Sequence, residues 1–334
     1  MTKYYLLLLF FSQYSFAQLM NGVNMIPAWD PVDKNCMQSV QELNAKWVSL
    51  VIYQYGDYQE AYLPQLGYES RDQKWGESLE GIEKMVSYAH EYDLKVMLKP
   101  SVWFPNHGWP GDFELATKEE WEQWETLYQT YILSYAKLAE KTGVELICMG
   151  TEMKRAIQIR PQYWKKLIEE IRQIYSGKLT YAANWDNVFN IPFWKDLDYI
   201  GVDAYYPLSQ DENPCMDELL DAWKEPKKQL KQLYKKCDKP IIFTEYGYRS
   251  VDKAMWRQWE IENLYDFPAN HEAQKVGYEA IFQTFWEEDW FAGGFIWKWS
   301  PHDSVAGGPN NNDYTPQNKP CEAMIRKHFE EQKE

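Results

Sequence analysis

Two apolar segments of the chain each end in one glutamate. One segment reads VELICMGTE and closes on Glu152, and the other reads PIIFTE and closes on Glu245. An acid at the core-facing end of an apolar strand is unfavourable for packing, because a buried charge costs free energy unless it is paired. Two such carboxylates across one pocket have the chemistry that cleavage of a glycosidic bond requires. One protonates the leaving oxygen, and the other attacks the sugar or activates a water molecule.

Side chains alternate between the two faces of a strand, and this alternation predicts which neighbours accompany each acid. The residues expected on the face of Glu245 are Ile241 and Phe243. Those expected on the face of Glu152 are Leu146, Cys148 and Gly150. Both acids are therefore expected to close a strand on its core-facing side.

The rest of the pattern predicts eight strands that alternate with helices. The strands lie near residues 21–25, 46–53, 95–100, 144–152, 179–185, 198–206, 240–245 and 294–299. Apolar strands separated by helices are typical of parallel βα units, and eight units favour a closed (β/α)8 TIM barrel. Glu152 and Glu245 are 93 residues apart, and a unit averages about 31 residues. Three units therefore separate the two acids, which agrees with Glu152 on strand four and Glu245 on strand seven. Both acids are then expected at the mouth of the barrel, where the strands end.

Residues 1–17 have the features of a secretory signal peptide. They begin with a positive charge, continue with the apolar run YYLLLLFF and end in a Ser15-x-Ala17 cleavage pattern. A segment of this kind is removed on export and is too short to span a membrane. We therefore expect a secreted or periplasmic protein in which residues 18–334 form one domain.

The composition favours some classes of partner over others. The formal net charge is −15, which argues against nucleic acid and anionic membranes because both attract basic surfaces. The chain has 17 Trp, 25 Tyr and 14 Phe, and aromatic rings near strand ends can stack on the apolar faces of sugars. His90 has no second histidine at metal-ligand spacing, so no metal site is expected. A monomer that binds a polysaccharide or oligosaccharide fits this pattern.

The five cysteines are widely spaced. An odd number at such spacings is not the pattern of a disulfide framework. If one bridge forms after export, Cys215 and Cys237 are the expected pair. Cys148 lies within an apolar strand and is expected to be an unreactive buried thiol.

Three short motifs resemble glycoside hydrolase family 113, the β-mannanases of the retaining barrel clan A. They are GTE ending at Glu152, TEYGYRS from Thr244 to Ser250, and WKWS from Trp297 to Ser300. The resemblance implies that Glu152 is the general acid/base and that Glu245 is the nucleophile, with Tyr205 as a hydrogen-bond donor to Glu245. It implies a retaining mechanism, with the two carboxyl groups about 5–5.5 Å apart. It implies no metal or organic cofactor.

The roles of the two acids predict different proton affinities. Glu152 must begin as an acid, so we expect burial and the negative charge of Glu245 to raise its pKa. The motif also departs from the clan, in which many members have Asn before the acid/base, where it contacts the sugar 2-hydroxyl. Here the position is Thr151, so either Thr151 or another group such as Asn184 makes that contact.

Further candidates for substrate contact lie at predicted strand ends and in the loops that follow them. They are Trp29, Lys99, Trp103, Asn184, Trp185, Asp203, Tyr205, Trp297 and Trp299. Phe295, Trp297 and Trp299 alternate onto one face, so Trp297 or Trp299 is expected to form the floor of the sugar site. Lys99 could equally form a structural ion pair, Asp203 could hold a neighbouring loop, and each tryptophan could pack within the protein.

The favoured hypothesis is a retaining endo-β-1,4-mannanase. Another β-glycanase or an exo-β-mannosidase on the same barrel is the nearest alternative, because the sequence does not distinguish mannose from glucose. A non-catalytic carbohydrate-binding barrel would keep the tryptophans without requiring both Glu152 and Glu245. A metal-dependent hydrolase would require a His/Asp cluster at the strand ends, which the sequence lacks.

Overall fold

The protein folds into a closed barrel of eight parallel strands, in which each strand pairs with the next and the last returns to the first. This computed structural model describes residues 19–57, 61–64, 73–105, 108–260 and 267–331. The predicted (β/α)8 architecture is confirmed. The predicted signal peptide lies outside the described residues. Within these ranges, no helix is both long and apolar enough to cross a membrane.

The strands are short and follow one another around the barrel in chain order. They are β1 Met20–Met25, β2 Trp47–Tyr55, β3 Lys95–Trp103, β4 Leu146–Thr151, β5 Lys178–Asn184, β6 Ile200–Asp203, β7 Ile241–Tyr246 and β8 Phe291–Trp299. Because all run in the same direction, their carboxyl ends meet at one rim.

Helices connect most of the strands and surround the barrel. They are α1 Gln38–Glu42, α2 Leu79–Glu91, α3 Lys118–Thr142, α4 Lys154–Ile159, α5 Pro161–Ile174, α6 Met216–Cys237, α7 His271–Phe285 and α8 Pro320–Glu331. The connection from β5 to β6 instead contains two 3-10 turns, at residues 188–190 and 194–196.

The ends of α3 follow directly from the local sequence. The Thr117 side chain accepts a hydrogen bond from the Glu120 backbone, and the Glu120 carboxylate accepts one from the Thr117 backbone. This capping box satisfies amide groups that the first turn of a helix leaves unpaired. At the other end, Gly143 has a φ of 76°, a left-handed conformation that glycine adopts without steric cost.

Much of the aromatic content belongs to the core. A continuous series of ring contacts between the helices and the outer face of the barrel joins Trp124, Tyr128, Trp164 and Tyr181. The ring centroids are 4.7, 5.3 and 5.9 Å apart in turn; the first pair is stacked and the other two meet edge to face. The barrel interior is filled by a separate, smaller cluster. Its buried members are Met20, Trp47, Met97, Leu146, Cys148, Ala182, Ile242 and Phe295. Many of the aromatic residues therefore have a packing role.

The expected disulfide between Cys215 and Cys237 is wrong. Cys215 is the N-cap of α6 and Cys237 is its last residue. A helix of 22 residues is about 33 Å long, far beyond the reach of a disulfide bond. All five cysteines are free thiols.

The predicted face of β7 is also wrong. Ile242 lies in the barrel interior, whereas Phe243 points outward against Phe285 of α7, with ring centroids 4.9 Å apart. Simple alternation would send Glu245 outward with Phe243. The register against β6 shifts at this point, and such an irregularity re-aims the side chain that follows it. Glu245 consequently enters the barrel mouth.

Strand β4 shows the same departure from alternation. Leu146 and Cys148 face the interior, but a Cβ on Gly150 would lie 2.7 Å from the Tyr128 hydroxyl, in the outer layer. Gly150 therefore does not share the predicted face. The register against β5 shifts between Cys148 and Thr151, and Glu152 follows the strand with a φ of 54°.

Trp299 was predicted as a possible floor of the sugar site, and the structure contradicts this. The register of β8 against β1 shifts between Val23 and Met25, so Trp299 does not lie on the face of Trp297. Its ring is completely buried, and its Nε1 donates to the Ser39 hydroxyl of α1 at 3.0 Å. Trp299 is a packing residue outside the barrel, where it cannot contact substrate.

This position gives a prediction about stability. Trp299→Ala should lower the free energy of unfolding by about 3–5 kcal/mol, because it leaves a large cavity beneath α1. Val305→Ala is the matched surface control, since Val305 is 82% exposed, and its change should stay within about 0.5 kcal/mol. Urea denaturation followed by circular dichroism measures both. Equal stabilities for the two variants would contradict the packing role.

Candidate active site

A cavity of about 600 Å³ opens at the carboxyl ends of the strands. Most of the predicted site residues line it. They are Trp103, Glu152, Asn184, Trp185, Tyr205, Glu245 and Trp297. The two acids, from the ends of β4 and β7, therefore share one pocket with four of the predicted aromatic residues.

Both oxygens of Glu245 are held by donors. The Lys99 ammonium forms an ion pair with Oε1, and the Tyr205 hydroxyl donates to Oε2 at 2.7 Å. A cation and a phenol on the same carboxyl group both favour its negative form. The hydrogen bond from Tyr205, expected from the family resemblance, is confirmed.

Lys99 lies beneath Glu245, inside the barrel. Its side chain is only 1% exposed, and its Nζ also lies 3.5 Å from Oδ1 of Asp203. Burial alone would lower the pKa of Lys99, but Asp203 and Glu245 outweigh it and leave that pKa above its usual value. Of the two alternatives for Lys99, the structure shows the ion pair, and a contact with substrate stays a prediction.

Asp203 completes the buried cluster beneath Glu245. Its side chain is 1% exposed, and its Oδ1 accepts a hydrogen bond from the Thr244 hydroxyl at 2.8 Å. Burial and the charge of Glu245 raise the pKa of Asp203 well above its usual value. The Lys99 ammonium acts in the opposite direction on this pKa, so Asp203 and Glu245 share one buried cation. A contact between Asp203 and sugar hydroxyls stays a prediction.

Glu152 keeps its proton to a higher pH than an ordinary surface carboxyl group does. Burial and the neighbouring negative charge of Glu245 raise its pKa to about 7. The indole Nε1 of Trp109 donates to Oε2 of Glu152 and lowers the same pKa in part. The predicted rise is confirmed, and Glu152 can hold a proton close to neutral pH.

Together the two carboxyl groups have complementary roles. Glu152 retains a proton near neutral pH, whereas Lys99 and Tyr205 stabilise Glu245 as a carboxylate. A pair of acids whose environments differ in this way is typical of sites that need one proton donor and one nucleophile or base.

The remaining predicted positions differ in their relation to the cavity. Thr151 places its hydroxyl 3.1 Å from that of Ser101. Asn184 has a buried Oδ1 without a hydrogen-bond partner among the described residues. Both line the cavity, so either can reach a sugar hydroxyl. Trp29 lies outside the cavity, 64% exposed, beneath the Lys74 ammonium at 5.2 Å.

Several aromatic residues of the cavity were not predicted from the sequence. They are Tyr53, Trp109, Trp259 and Tyr314. Tyr314 packs 6.2 Å from Tyr205, and Trp259 lies 6.4 Å from Trp185. The long aromatic-rich loops after β3, β7 and β8 were a signal for such residues, but which rings fold back over the mouth depends on tertiary contacts. In the part of the chain that the structure describes, no cluster of acidic, histidine or cysteine side chains could hold a metal ion.

The comparisons with known proteins agree with this geometry. Residues 29–319 match the model of Glycoside Hydrolase Family 113. The chain belongs to this family. It is accordingly a glycoside hydrolase, and the resemblance inferred from the three motifs is confirmed. A search of curated proteins found no match.

Solved structures of the same family have the same fold. The family 113 β-mannanase AaManA from Alicyclobacillus acidocaldarius superposes with a TM-score of 0.81 at 24% identity, over 94% of this chain and 98% of that one. A second family 113 β-1,4-mannanase gives 0.78 at 24% identity, over 94% and 99%. A β-glucuronidase from Ruminococcus gnavus gives 0.64 at 13% identity, over 93% of this chain and 50% of that one.

The buried cluster gives a prediction for this glycoside hydrolase. Lys99→Met removes the counter-charge of Glu245 and should lower kcat/KM at least about 100-fold. It should also lower the free energy of unfolding by about 3–5 kcal/mol, because a buried charge is left unpaired. Steady-state kinetics and urea denaturation test both effects. Lys95→Met, at the exposed start of the same strand, is the matched control; similar kinetics for the two variants would contradict the role of Lys99.

Proposed function

We propose that the protein hydrolyses β-1,4-mannosidic bonds with retention of configuration, by double displacement. The observation that carries this proposal is the pairing, in one cavity, of Glu152 with a pKa of about 7 and Glu245 held as a carboxylate by Lys99 and Tyr205. Family membership supports the class of reaction. The two solved family 113 relatives described as β-mannanases support the sugar.

In the first step, Glu245 attacks the anomeric carbon of the sugar. The bond to the glycosidic oxygen breaks, and Glu152 gives its proton to that oxygen, so the leaving chain departs as a neutral alcohol. The product is a glycosyl ester on Glu245. Lys99 and Tyr205 hold the attacking group in place, which favours the reaction by fixing its orientation before attack.

In the second step, Glu152 is a carboxylate and accepts a proton from water. The water attacks the anomeric carbon, the ester bond to Glu245 breaks, and the sugar is released with its original β configuration. As the ester is hydrolysed, Glu245 becomes a carboxylate again and re-forms its ion pair with the Lys99 ammonium. Both acids thereby return to their starting protonation states.

Aromatic side chains provide the walls for a chain of sugars. Trp103, Trp185 and Trp297 line the same cavity as the acids, and their rings can cover the apolar faces of sugar units. A polymer or oligomer of mannose is the substrate class that we propose.

We further propose that residues 1–17 direct export. Mass spectrometry of the exported protein should then find a new N-terminus after Ala17.

A panel of mannan, glucomannan, xylan and cellulose tests the substrate. We expect mannan to be cleaved fastest, with mixed oligosaccharides as early products of endo action and a β-anomer detected first by proton NMR. Release of mannose alone would indicate exo action. Inverted product, or no cleavage of any polymer, would contradict the proposal.

Removal of the nucleophile tests the mechanism. Glu245→Ala should abolish hydrolysis of an activated aryl β-mannoside, because no ester can form, and added azide should restore turnover as an α-mannosyl azide. Chromatography and NMR identify that product. Glu260→Ala, at an acid exposed after β7, is the control. Undiminished hydrolysis by the Glu245 variant would exclude the assignment.

The pKa of Glu152 predicts the pH dependence. Because Glu152 must be protonated to act as an acid, kcat/KM should fall as the pH rises through about 7, by about tenfold per pH unit beyond it. Glu152→Gln should lose this alkaline limb and retain activity mainly on substrates with good leaving groups. An activity that stays constant from pH 6 to pH 9 would contradict the assignment of Glu152.

A further inference from the structure

Trp109 is a pocket residue that contacts the acid/base directly. Its indole Nε1 donates a hydrogen bond to Oε2 of Glu152, and its ring forms part of the cavity wall. It comes from the loop after β3, immediately before the 3-10 turn Pro110–Asp112. Neither the strand pattern nor the three family motifs include this residue.

The indole is held on two sides. A Cβ on Gly111 would lie 2.3 Å from the ring of Trp109, so the ring rests directly against the glycine backbone. The Lys154 ammonium lies 5.9 Å from the ring centroid and forms an ion pair with Asp186 at 2.9 Å. A ring fixed by a close backbone contact and a cation has little freedom to rotate.

The hydrogen bond distinguishes the two oxygens of Glu152. The carboxyl oxygen that accepts the indole N–H cannot at the same time point a proton of its own at that N–H. Oε2 is therefore the acceptor oxygen of Glu152. The transferable proton then belongs on the other oxygen, Oε1. We propose that Trp109 is a positioning residue that fixes Oε1 as the proton-donating oxygen of Glu152. The inference rests on the proposed function of Glu152 as the acid/base.

Other charged or titratable groups also act on Glu152. They are Lys99 on β3, Tyr181 on β5, Asp186 after β5, Asp203 on β6 and Glu245 on β7. Burial, Glu245 and Asp186 raise the pKa of Glu152, whereas Trp109 and Lys99 lower it. Loss of the indole donor should therefore raise that pKa further. A packing role for Trp109 would not require this change.

Trp109→Phe removes the N–H and keeps an aromatic ring. The pKa of Glu152 should rise by about one unit, measured without substrate by carbon-13 NMR titration of protein labelled at glutamate carboxyls, with Glu152→Gln to assign the signal. The alkaline limb of kcat/KM on a β-mannoside should move upward equally. Below pH 6, kcat/KM should fall at least about tenfold, because the acid is misoriented.

Two further variants make the test specific. Gly111→Ala displaces the indole without removing it and should shift the Glu152 pKa in the same direction, so it decides the matter alone if Trp109→Phe does not fold. Trp259→Phe removes an indole N–H elsewhere in the cavity and should leave the Glu152 pKa unchanged.

An unchanged or lowered Glu152 pKa in Trp109→Phe would overturn the inference. Absence of any cleavage of β-mannosidic bonds by the parent protein would overturn the proposed function instead, and the NMR titration would still be informative.

Discussion

The arrangement of charged side chains at the mouth of the barrel depends on the ion pair between Lys99 and Glu245. The ammonium lies beneath the carboxylate with almost no exposure to solvent, so its charge is compensated by Glu245 and by the neighbouring Asp203. A buried pair of this kind contributes little net stability, but removal of either partner is costly because the remaining charge is unpaired. The pair therefore fixes the charge and position of Glu245, the proposed nucleophile, rather than the fold as a whole. Asp203 lies 3.5 Å from the same ammonium and shares this cation with Glu245.

The geometry around this pair arises from irregular strands. In a regular strand, Glu245 would follow Phe243 to the outer face, towards the helices. The register shifts in β4, β7 and β8 interrupt the alternation just before the rim. Glu245 turns into the mouth as a result, Gly150 turns towards the outer layer, and Trp299 turns away from the mouth. These irregularities are consistent with the enrichment of β-bulges next to active sites.

Periodicity and strand-end chemistry were enough to predict the barrel and its two acids. Apolar strands and helix caps are local signals, and a barrel places its strand ends together regardless of loop structure. Predictions that required exact alternation, such as those for Gly150 and Trp299, were wrong because register shifts depend on pairing between strands. The role of Lys99 was left open because its position in the sequence does not indicate which acidic side chains lie next to it in the fold. Trp109 was missed because its position depends on how a loop folds over the cavity.

The most direct test of the account is to trap the glycosyl ester. The protein is incubated with 2-deoxy-2-fluoro-β-mannosyl fluoride, which slows both steps but has a good leaving group, and the digested protein is analysed by mass spectrometry. We predict one label per molecule, carried by Glu245, with activity lost in proportion to labelling. A label on Glu152 or on another residue, or turnover of the reagent with inversion and no label, would contradict the central claim.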